Sequence, residues 1–267
     1  MTRPFEGLPS ECDLVALSVL VPAATTRLLL KDSAAEPVLA ATLLPMAWPA
    51  LHRADDQLMV GLQVTGGSGD PSRDIAAALL EAQELPAGSP VLSVGRPGPG
   101  PRLQDILNTS MELDIEVHTG FDYWLEGAAG DVTEDMTAAL GRANEQVVPT
   151  ARLASVEAAY WCRIGTKEHL RWVLPESEDD LLNAFAKLAA DNQLGLGPGT
   201  KYIGCFRSHG LLAAVWDLAP GDEADDVEEA ASAFREKLDI ALADSSPLSA
   251  EARRQRTGIV SRQVTLR

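Results

Sequence analysis

Long apolar segments are missing from this sequence of 267 residues. The longest candidates, such as residues 38–44, fall far short of the roughly 20 apolar residues that cross a bilayer as a helix. Glu6, Glu11 and Asp13 lie where a signal peptide would need its apolar core. The sequence therefore predicts neither a membrane-spanning segment nor a signal peptide.

Cysteines and basic residues are also scarce. The three cysteines, Cys12, Cys162 and Cys205, are odd in number and lie in apolar stretches, which is typical of reduced thiols and predicts a cytoplasmic protein. The 22 lysines and arginines face 39 acidic residues, which gives a net charge of −17. Because a field of this sign repels nucleic acid and anionic lipid, neither is an expected partner.

Local signatures of metal, cofactor or phosphate binding are absent as well. The four histidines show none of the spacings that bring metal ligands together, and no G-x-S-x-G nucleophile elbow occurs. The glycine-rich segment 65–74 lacks the lysine of a P-loop, and Asp70 places a negative charge where a phosphate would lie. We therefore expect no metal and no cofactor, and we interpret Asp70 as a helix cap.

The pattern of apolar residues predicts an α+β fold. Helices are predicted at residues 11–20, 71–85, 134–147 and 222–243, and another begins at residue 177. Strands are predicted at residues 38–44, 58–64, 91–94, 113–118, 156–164, 169–174, 201–207 and 211–218. Both halves follow the order strand, strand, helix, strand, strand, helix. This predicts two similar units, a pseudo-duplication in which each antiparallel sheet carries helices on one face.

The predicted boundaries divide the chain into residues 1–148, residues 149–248 and a basic tail at residues 249–267. The first unit contains a Pro/Gly-rich insertion at residues 95–110, which is either a mobile lid or a spacer. The tail carries five arginines against one acid, Glu251. Two interpretations of the tail stay open: it folds back on its own acidic body, or it is a docking arm.

One face of the second predicted sheet is a candidate binding surface. Alternation along the strands predicts that five side chains share the open face: Trp161, Arg163, His169, Arg171 and Arg207. In a protein of charge −17, such a basic face suits an acidic protein partner or a small anionic ligand. The competing interpretation is the ordinary polar face of an antiparallel sheet.

Two carboxylates suggest a catalytic alternative. Asp122 and Asp217 each lie beside aromatic residues at a predicted strand end, and an acid against aromatic surface can have its pKa raised, as a general acid requires. Such an acid, meeting His118 or His209 where the two units join, would form a hydrolase or transferase site. The competing interpretation makes both aspartates caps over core aromatics.

Several stretches resemble a known family. They are residues 3–9, 11–13, 44–50, 69–74, 101–105, 159–162 and 169–175. These residues are similar to those of an uncharacterised family of actinobacterial proteins of unknown function, some of which are labelled preprotein-translocase-like. The resemblance covers nearly the whole chain and implies membership without implying an activity or catalytic residues. The translocase-like label implies a cysteine-rich zinc motif, which the three scattered cysteines do not supply.

Our first hypothesis is a non-enzymatic cytoplasmic protein. It would bind a protein partner or a small anionic ligand through the open sheet face or through a cleft between its two units, and a homodimer is left open. The alternative is the Asp/His enzyme.

Overall fold

The computed structural model describes residues 3–31, 36–63, 67–126 and 132–265. The chain divides into an N-terminal unit, residues 1–147, and a C-terminal unit, residues 148–267. Each unit combines helices with a six-stranded sheet, so the predicted α+β class is confirmed. Within the described ranges, no helix has the length and apolarity that a bilayer crossing requires.

The N-terminal unit contains a mixed sheet. Its elements are α1 (Glu11–Val19), β1 (Ala24–Leu28), β2 (Val38–Ala41), β3 (Ala50–His52), β4 (Leu58–Gly61), α2 (Pro71–Glu84), β5 (Ser89–Val91), α3 (Leu103–Ile106), β6 (Ile115–Val117) and α4 (Glu134–Asn144). Short 3-10 helices occupy Pro45–Ala47 and Asp122–Trp124. The strand order is β5-β3-β4-β2-β1-β6. All neighbours are antiparallel except β2 and β4, which run parallel because the chain crosses over through the first 3-10 helix and β3 between them.

The centre of this sheet has buried side chains on both faces. Ala41 and Met59 pack in one cluster with Leu140 of α4. Their chain neighbours Ala40 and Val60 point to the opposite face, because side chains alternate along a strand, and these two are also fully buried. The sequence predicts that each sheet is covered on one face, but the N-terminal sheet is covered on both.

The C-terminal unit has a different sheet. Its elements are β7 (Thr150–Arg152), β8 (Ala159–Ile164), β9 (Lys167–Leu174), α5 (Glu178–Ala190), β10 (Lys201–Ser208), β11 (Leu211–Asp217), α6 (Ala224–Ala243), α7 (Ala250–Val260) and β12 (Val264–Thr265). The strand order is β12-β10-β11-β9-β8-β7, and only the short edge strand β12 is parallel to its neighbour.

Aromatic side chains form the centre of the C-terminal core. Trp172 of β9 and Trp216 of β11 pack with Phe185 of α5, Phe234 of α6 and Ile259 of α7. The ring centroids of Trp216 and Phe234 are 5.2 Å apart in an edge-to-face arrangement, a geometry that aromatic pairs prefer. Side chains from all three helices thus pack on one face of this sheet.

The two units repeat an order of elements but pair their strands differently. In the C-terminal unit β10 and β11 form an internal hairpin, whereas their counterparts β5 and β6 lie at opposite edges of the N-terminal sheet. A hairpin needs a short connection, and the insertion with α3 separates β5 from β6. The structure therefore does not show the units as two copies of one topology.

The insertion at residues 95–110 is bonded to the start of α2. Arg73 donates from Nε to the carbonyl oxygen of Gly98 at 3.0 Å. Arg102 pairs through Nε with Asp70 at 2.8 Å. These bonds hold the segment in place against the N-terminal unit.

The basic tail folds against its own unit. It forms α7 and β12, with Ile259 buried in the core and Arg256 donating to Asp179 of α5. Ile259 and Val260 are the last two residues of helix α7. The structure therefore shows the first of the two arrangements left open by the sequence.

Two adjacent residues test the packing of α7. Ile259 is 1% exposed, so Ile259→Ala should lower the free energy of unfolding by about 2–4 kcal/mol through lost burial and a residual cavity. Val260 is 41% exposed, and Val260→Ala should change it by less than about 0.5 kcal/mol. Urea unfolding followed by tryptophan fluorescence measures both, and equal effects would contradict this packing.

Candidate functional site

A polar cleft of about 250 Å³ opens on the sheet of the N-terminal unit. Strands β1, β2 and β6, the β3–β4 turn and the second 3-10 helix contribute to its walls. Its polar lining includes Thr25, Arg27, Arg53, Glu116, His118 and Tyr123. The cleft is smaller and more polar than most small-molecule sites, and the convergence of its polar groups is what makes it a candidate.

Strand pairing brings a hydroxyl, an imidazole and a carboxylate together in this cleft. Thr25 of β1 lies opposite Glu116 of β6, and His118 follows two residues later on the same face. Thr25 Oγ1 and His118 Nε2 are 2.8 Å apart, which is a hydrogen bond. His118 Nδ1 lies 3.9 Å from the Glu116 carboxylate. The imidazole therefore lies between a hydroxyl and an acid.

Tyr123 forms a fixed wall beside His118. The two ring centroids are 5.2 Å apart, and the Tyr123 hydroxyl donates to the carbonyl oxygen of Leu43 at 2.8 Å. Trp124 donates from Nε1 to the same oxygen at 2.9 Å. Burial raises the pKa of Tyr123 to about 12, so its hydroxyl stays protonated at neutral pH and keeps this bond.

Arg53 lines the cleft from the turn between β3 and β4. Its Nε and Nη2 each donate to the Asp55 carboxylate at 2.7 Å, and these bonds hold the pKa of Asp55 below its usual range. The third nitrogen, Nη1, is buried and has no hydrogen-bond partner among the described residues. Because buried donors normally have partners, Nη1 is an unsatisfied donor in a residue that lines the cleft.

The rim of the cleft is mainly acidic. Asp114, Glu116 and Glu126 are exposed carboxylates, whereas Arg27 is the exposed basic residue beside them. The charge of Arg53 is already balanced by Asp55. The mouth therefore repels an additional anion and attracts a cationic group.

The family comparison covers almost the whole chain, with a family model matching residues 4–267. The chain belongs to the family of unknown function DUF5926. The predicted membership of an uncharacterised family is thereby confirmed. The family match does not show the actinobacterial origin or the translocase-like label that the resemblance implies. No curated protein and no solved structure matches the chain. Membership of DUF5926 therefore assigns no role to the cleft, and its chemistry has to be argued from its residues.

Of the four residues predicted for a catalytic site, His118 lines this cleft. Asp122 begins the neighbouring 3-10 helix, where it is exposed and does not contribute to the cleft wall. Asp217 and His209 belong to the C-terminal unit. His209 occupies the β10–β11 turn with a positive φ of 46°, and burial lowers its pKa.

The residues predicted to share one face of the second sheet lie on two faces. Trp161 pairs with Leu170, and residues opposite each other on antiparallel strands share a face. Both belong to the core beneath the helices. Arg163, two residues after Trp161, is therefore also on the helical side. Alternation places His169 and Arg171 on the other side, so the prediction of one common face is wrong.

Two of the predicted arginines connect the sheet to its helices. Arg207 lies opposite a core leucine of β11 and pairs with Glu178 at the start of α5. Arg163 pairs with Glu168 at 3.0 Å and with Glu223, the N-cap of α6. Their guanidinium groups already have carboxylate partners, so they do not form a free basic surface.

His169 has an acidic neighbour that the sequence did not reveal. It lies opposite Asp217 on β11, with Nδ1 and Oδ1 2.9 Å apart, although the angle at nitrogen is outside hydrogen-bond geometry. Cys162 lies opposite His169 on β8, so thiol, imidazole and carboxylate follow one another across three strands. Burial raises the pKa of the Cys162 thiol, which disfavours the thiolate that a nucleophile needs.

Metal binding has no local basis in the described ranges, where no group of three or more His, Cys, Asp or Glu side chains could hold an ion.

The interpretation of Asp70 as a helix cap is wrong. Residues 64–66 of the glycine-rich segment lie outside the described residues. Asp70 precedes α2, but its side chain makes no cap hydrogen bond and pairs with Arg102 instead.

Asp74 accepts hydrogen bonds from the loop that precedes α2. Ser68 donates its backbone N–H to both carboxylate oxygens at 3.0 Å and its hydroxyl to one at 2.7 Å. Gly67 has a positive φ of 118°, and a Cβ there would lie 2.1 Å from Asp74 Oδ2. Asp74 thus closes the loop at Ser68, a role that the sequence did not assign to it.

Sequence reasoning missed Thr25, Arg53 and Glu116. The strand that carries Thr25 was not predicted, and the adjacent β-branched residues Thr25 and Thr26 were the available signal for it. Nothing local marks Arg53, because its position depends on the β3–β4 turn.

The loop closure by Asp74 can be tested by mutation. Asp74 is 6% exposed, and Asp74→Ala should lower the free energy of unfolding by about 1–3 kcal/mol because Ser68 loses its acceptor. Glu81→Ala, an exposed change on the same helix, should cost less than about 0.5 kcal/mol. Urea unfolding of both variants is the measurement, and a neutral Asp74→Ala would show that the loop does not depend on this acid.

Proposed function

We propose that this protein binds a small amphoteric molecule in the cleft of its N-terminal unit. The observation that carries the proposal is the buried, unpartnered Nη1 of Arg53 at the wall of a polar cleft. A ligand with a carbonyl or carboxylate oxygen would supply the missing acceptor. Hydrogen bonds to charged donors contribute about 1.5–3 kcal/mol, which is enough to select such a ligand.

The rim indicates the other end of the ligand. Asp114, Glu116 and Glu126 favour a cationic group such as an amine. A molecule with an oxygen acceptor at one end and an amino group at the other therefore fits better than the simple anion expected from the sequence. A cleft volume of about 250 Å³ suits a ligand of the size of an amino acid or a short amino ester.

Partner binding through the sheet face of the C-terminal unit has less support. Arg163 and Arg207 are engaged by carboxylates, and Trp161 is part of the core. His169 and Arg171 are what remains of the predicted set. The N-terminal cleft is therefore the better-supported site.

Thermal unfolding with matched probes tests this proposal. γ-Aminobutyrate carries both ligand ends, whereas butylamine and butyrate each carry one. A ligand that binds the folded state at about 100 times its Kd should raise the Tm by roughly 5–10 °C. We expect such a shift from γ-aminobutyrate, or from some of the twenty amino acids tested beside it, and a smaller shift from the single-ended probes.

Arginine variants locate the binding. Arg53→Lys keeps a positive charge beside Asp55 but removes Nη1, so it should abolish the shift. Arg207→Lys alters an arginine–carboxylate pair in the C-terminal unit and should retain it. A full shift in Arg53→Lys, or no shift from any zwitterion in the wild-type protein, would refute the proposal.

A further inference from the structure

We infer that the cleft also performs acyl transfer, with Thr25 as the nucleophile and His118 as its general base. The substrate class is a small ester or activated amide that carries an amino group. This inference rests on the proposed function, because the acyl compound is the molecule that the cleft binds. It adds a covalent step that binding does not require.

The first observation is the contact between the hydroxyl and the imidazole. An activated nucleophile is recognised by a base within about 2.6–3.2 Å of it and by a third group that orients the base. Thr25 Oγ1 lies 2.8 Å from His118 Nε2, within that range. Glu116 lies 3.9 Å from His118 Nδ1, which is longer than a hydrogen bond but close enough for its charge to act on the imidazole. Glu116 is accordingly a positioning residue.

The second observation is that these groups line a cleft. Thr25 is 5% exposed, and Thr25, Glu116 and His118 all belong to the cleft wall. Thr26 gives an internal comparison: it also contributes to the cleft lining, but alternation along β1 directs its side chain to the opposite face from Thr25. Among the described residues its buried Oγ1 has no hydrogen-bond partner, so His118 bonds to Thr25 and not to Thr26.

The charges favour the tautomer that the reaction needs. A carboxylate near Nδ1 favours the proton on that nitrogen, which leaves the Nε2 lone pair to accept the Thr25 hydroxyl proton. Arg53 lines the same cleft with its unpartnered Nη1. A donor of this kind can stabilise the oxyanion that forms when the substrate carbonyl is attacked.

The reaction balances with water as the co-reactant. Thr25 Oγ1 attacks the carbonyl carbon while its proton passes to His118 Nε2. The tetrahedral intermediate collapses, the bond to the leaving group breaks, and His118 returns the proton to the departing oxygen or nitrogen. Water then attacks the acyl-threonine ester, gives one proton to His118, and releases the acid as the Thr25 hydroxyl is restored.

Covalent labelling tests this step directly. Diisopropyl fluorophosphate reacts with activated hydroxyl groups by forming an O–P bond and releasing fluoride, and peptide mass spectrometry locates the adduct. We expect an adduct on Thr25 in the wild-type protein and in Thr25→Ser. Thr25→Val, which keeps the side-chain shape, should give none. His118→Gln should slow labelling by at least about 100-fold, since general base catalysis contributes 10²–10⁴.

Thr26→Val is the matched control and should be labelled at the wild-type rate. Circular dichroism and the Tm establish that each variant is folded. If Thr25→Val does not fold, the position of the adduct in the wild-type protein still tests whether Thr25 is the nucleophile. An unlabelled Thr25 in the folded wild-type protein, or labelling unaffected by His118→Gln, would overturn the inference and reduce the contact to a structural hydrogen bond. If zwitterions bind in an Arg53-dependent way but Thr25 is not labelled, the acyl-transfer inference fails and the proposed binding function stands. Thr25 labelling without zwitterion binding would support the activated Thr25–His118 pair, but it would refute the proposed function and with it the amino-bearing substrate class.

Discussion

The register between β1 and β6 is the constraint on which the cleft depends. Side chains alternate along a strand with a period of two, so a slip by one residue would carry Thr25 to the opposite face and replace it with Thr26. Pairing with β2 on the other side fixes the same register, because Thr25 lies opposite Ala41 of the buried cluster. The position of one hydroxyl beside His118 is therefore held by the packing of the whole sheet.

Strand register also determines the positions of the side chains in the C-terminal unit. The aromatic core around Trp172 and Trp216 determines which side of each strand faces the helices. Once those residues are buried, Trp161 and Arg163 lie on the helical side, and the arginine pairs with Glu223, the N-cap of α6. Arg163 thus connects the sheet to helix α6, although the sequence pattern of its strand predicts that it lies on an open binding face.

The acidic composition has a structural use in both units. Asp74 closes a loop by accepting hydrogen bonds from Ser68, and Glu228 of α6 accepts the backbone N–H groups of Ala154 and Ser155 at 2.7 and 2.8 Å. Exposed ion pairs contribute little to stability, so bonds from carboxylates to backbone groups are the more consequential contacts. Such contacts hold loops with the protein's own anions, which argues against these loops as sites for external ones.

The sequence by itself determined the α+β class and the long helices. Helix α5 begins directly after Ser177, where the sequence predicts a helix start, and Ser177 Oγ accepts the backbone N–H of Asp180 because helix caps are local signals. The parallel β2–β4 pair, the sidedness of the second sheet and the cleft were decided by tertiary structure. Each depends on which strands become neighbours and in what register, and that choice is made by burial between residues distant in sequence. Thr25, Arg53 and His118 meet for this reason alone.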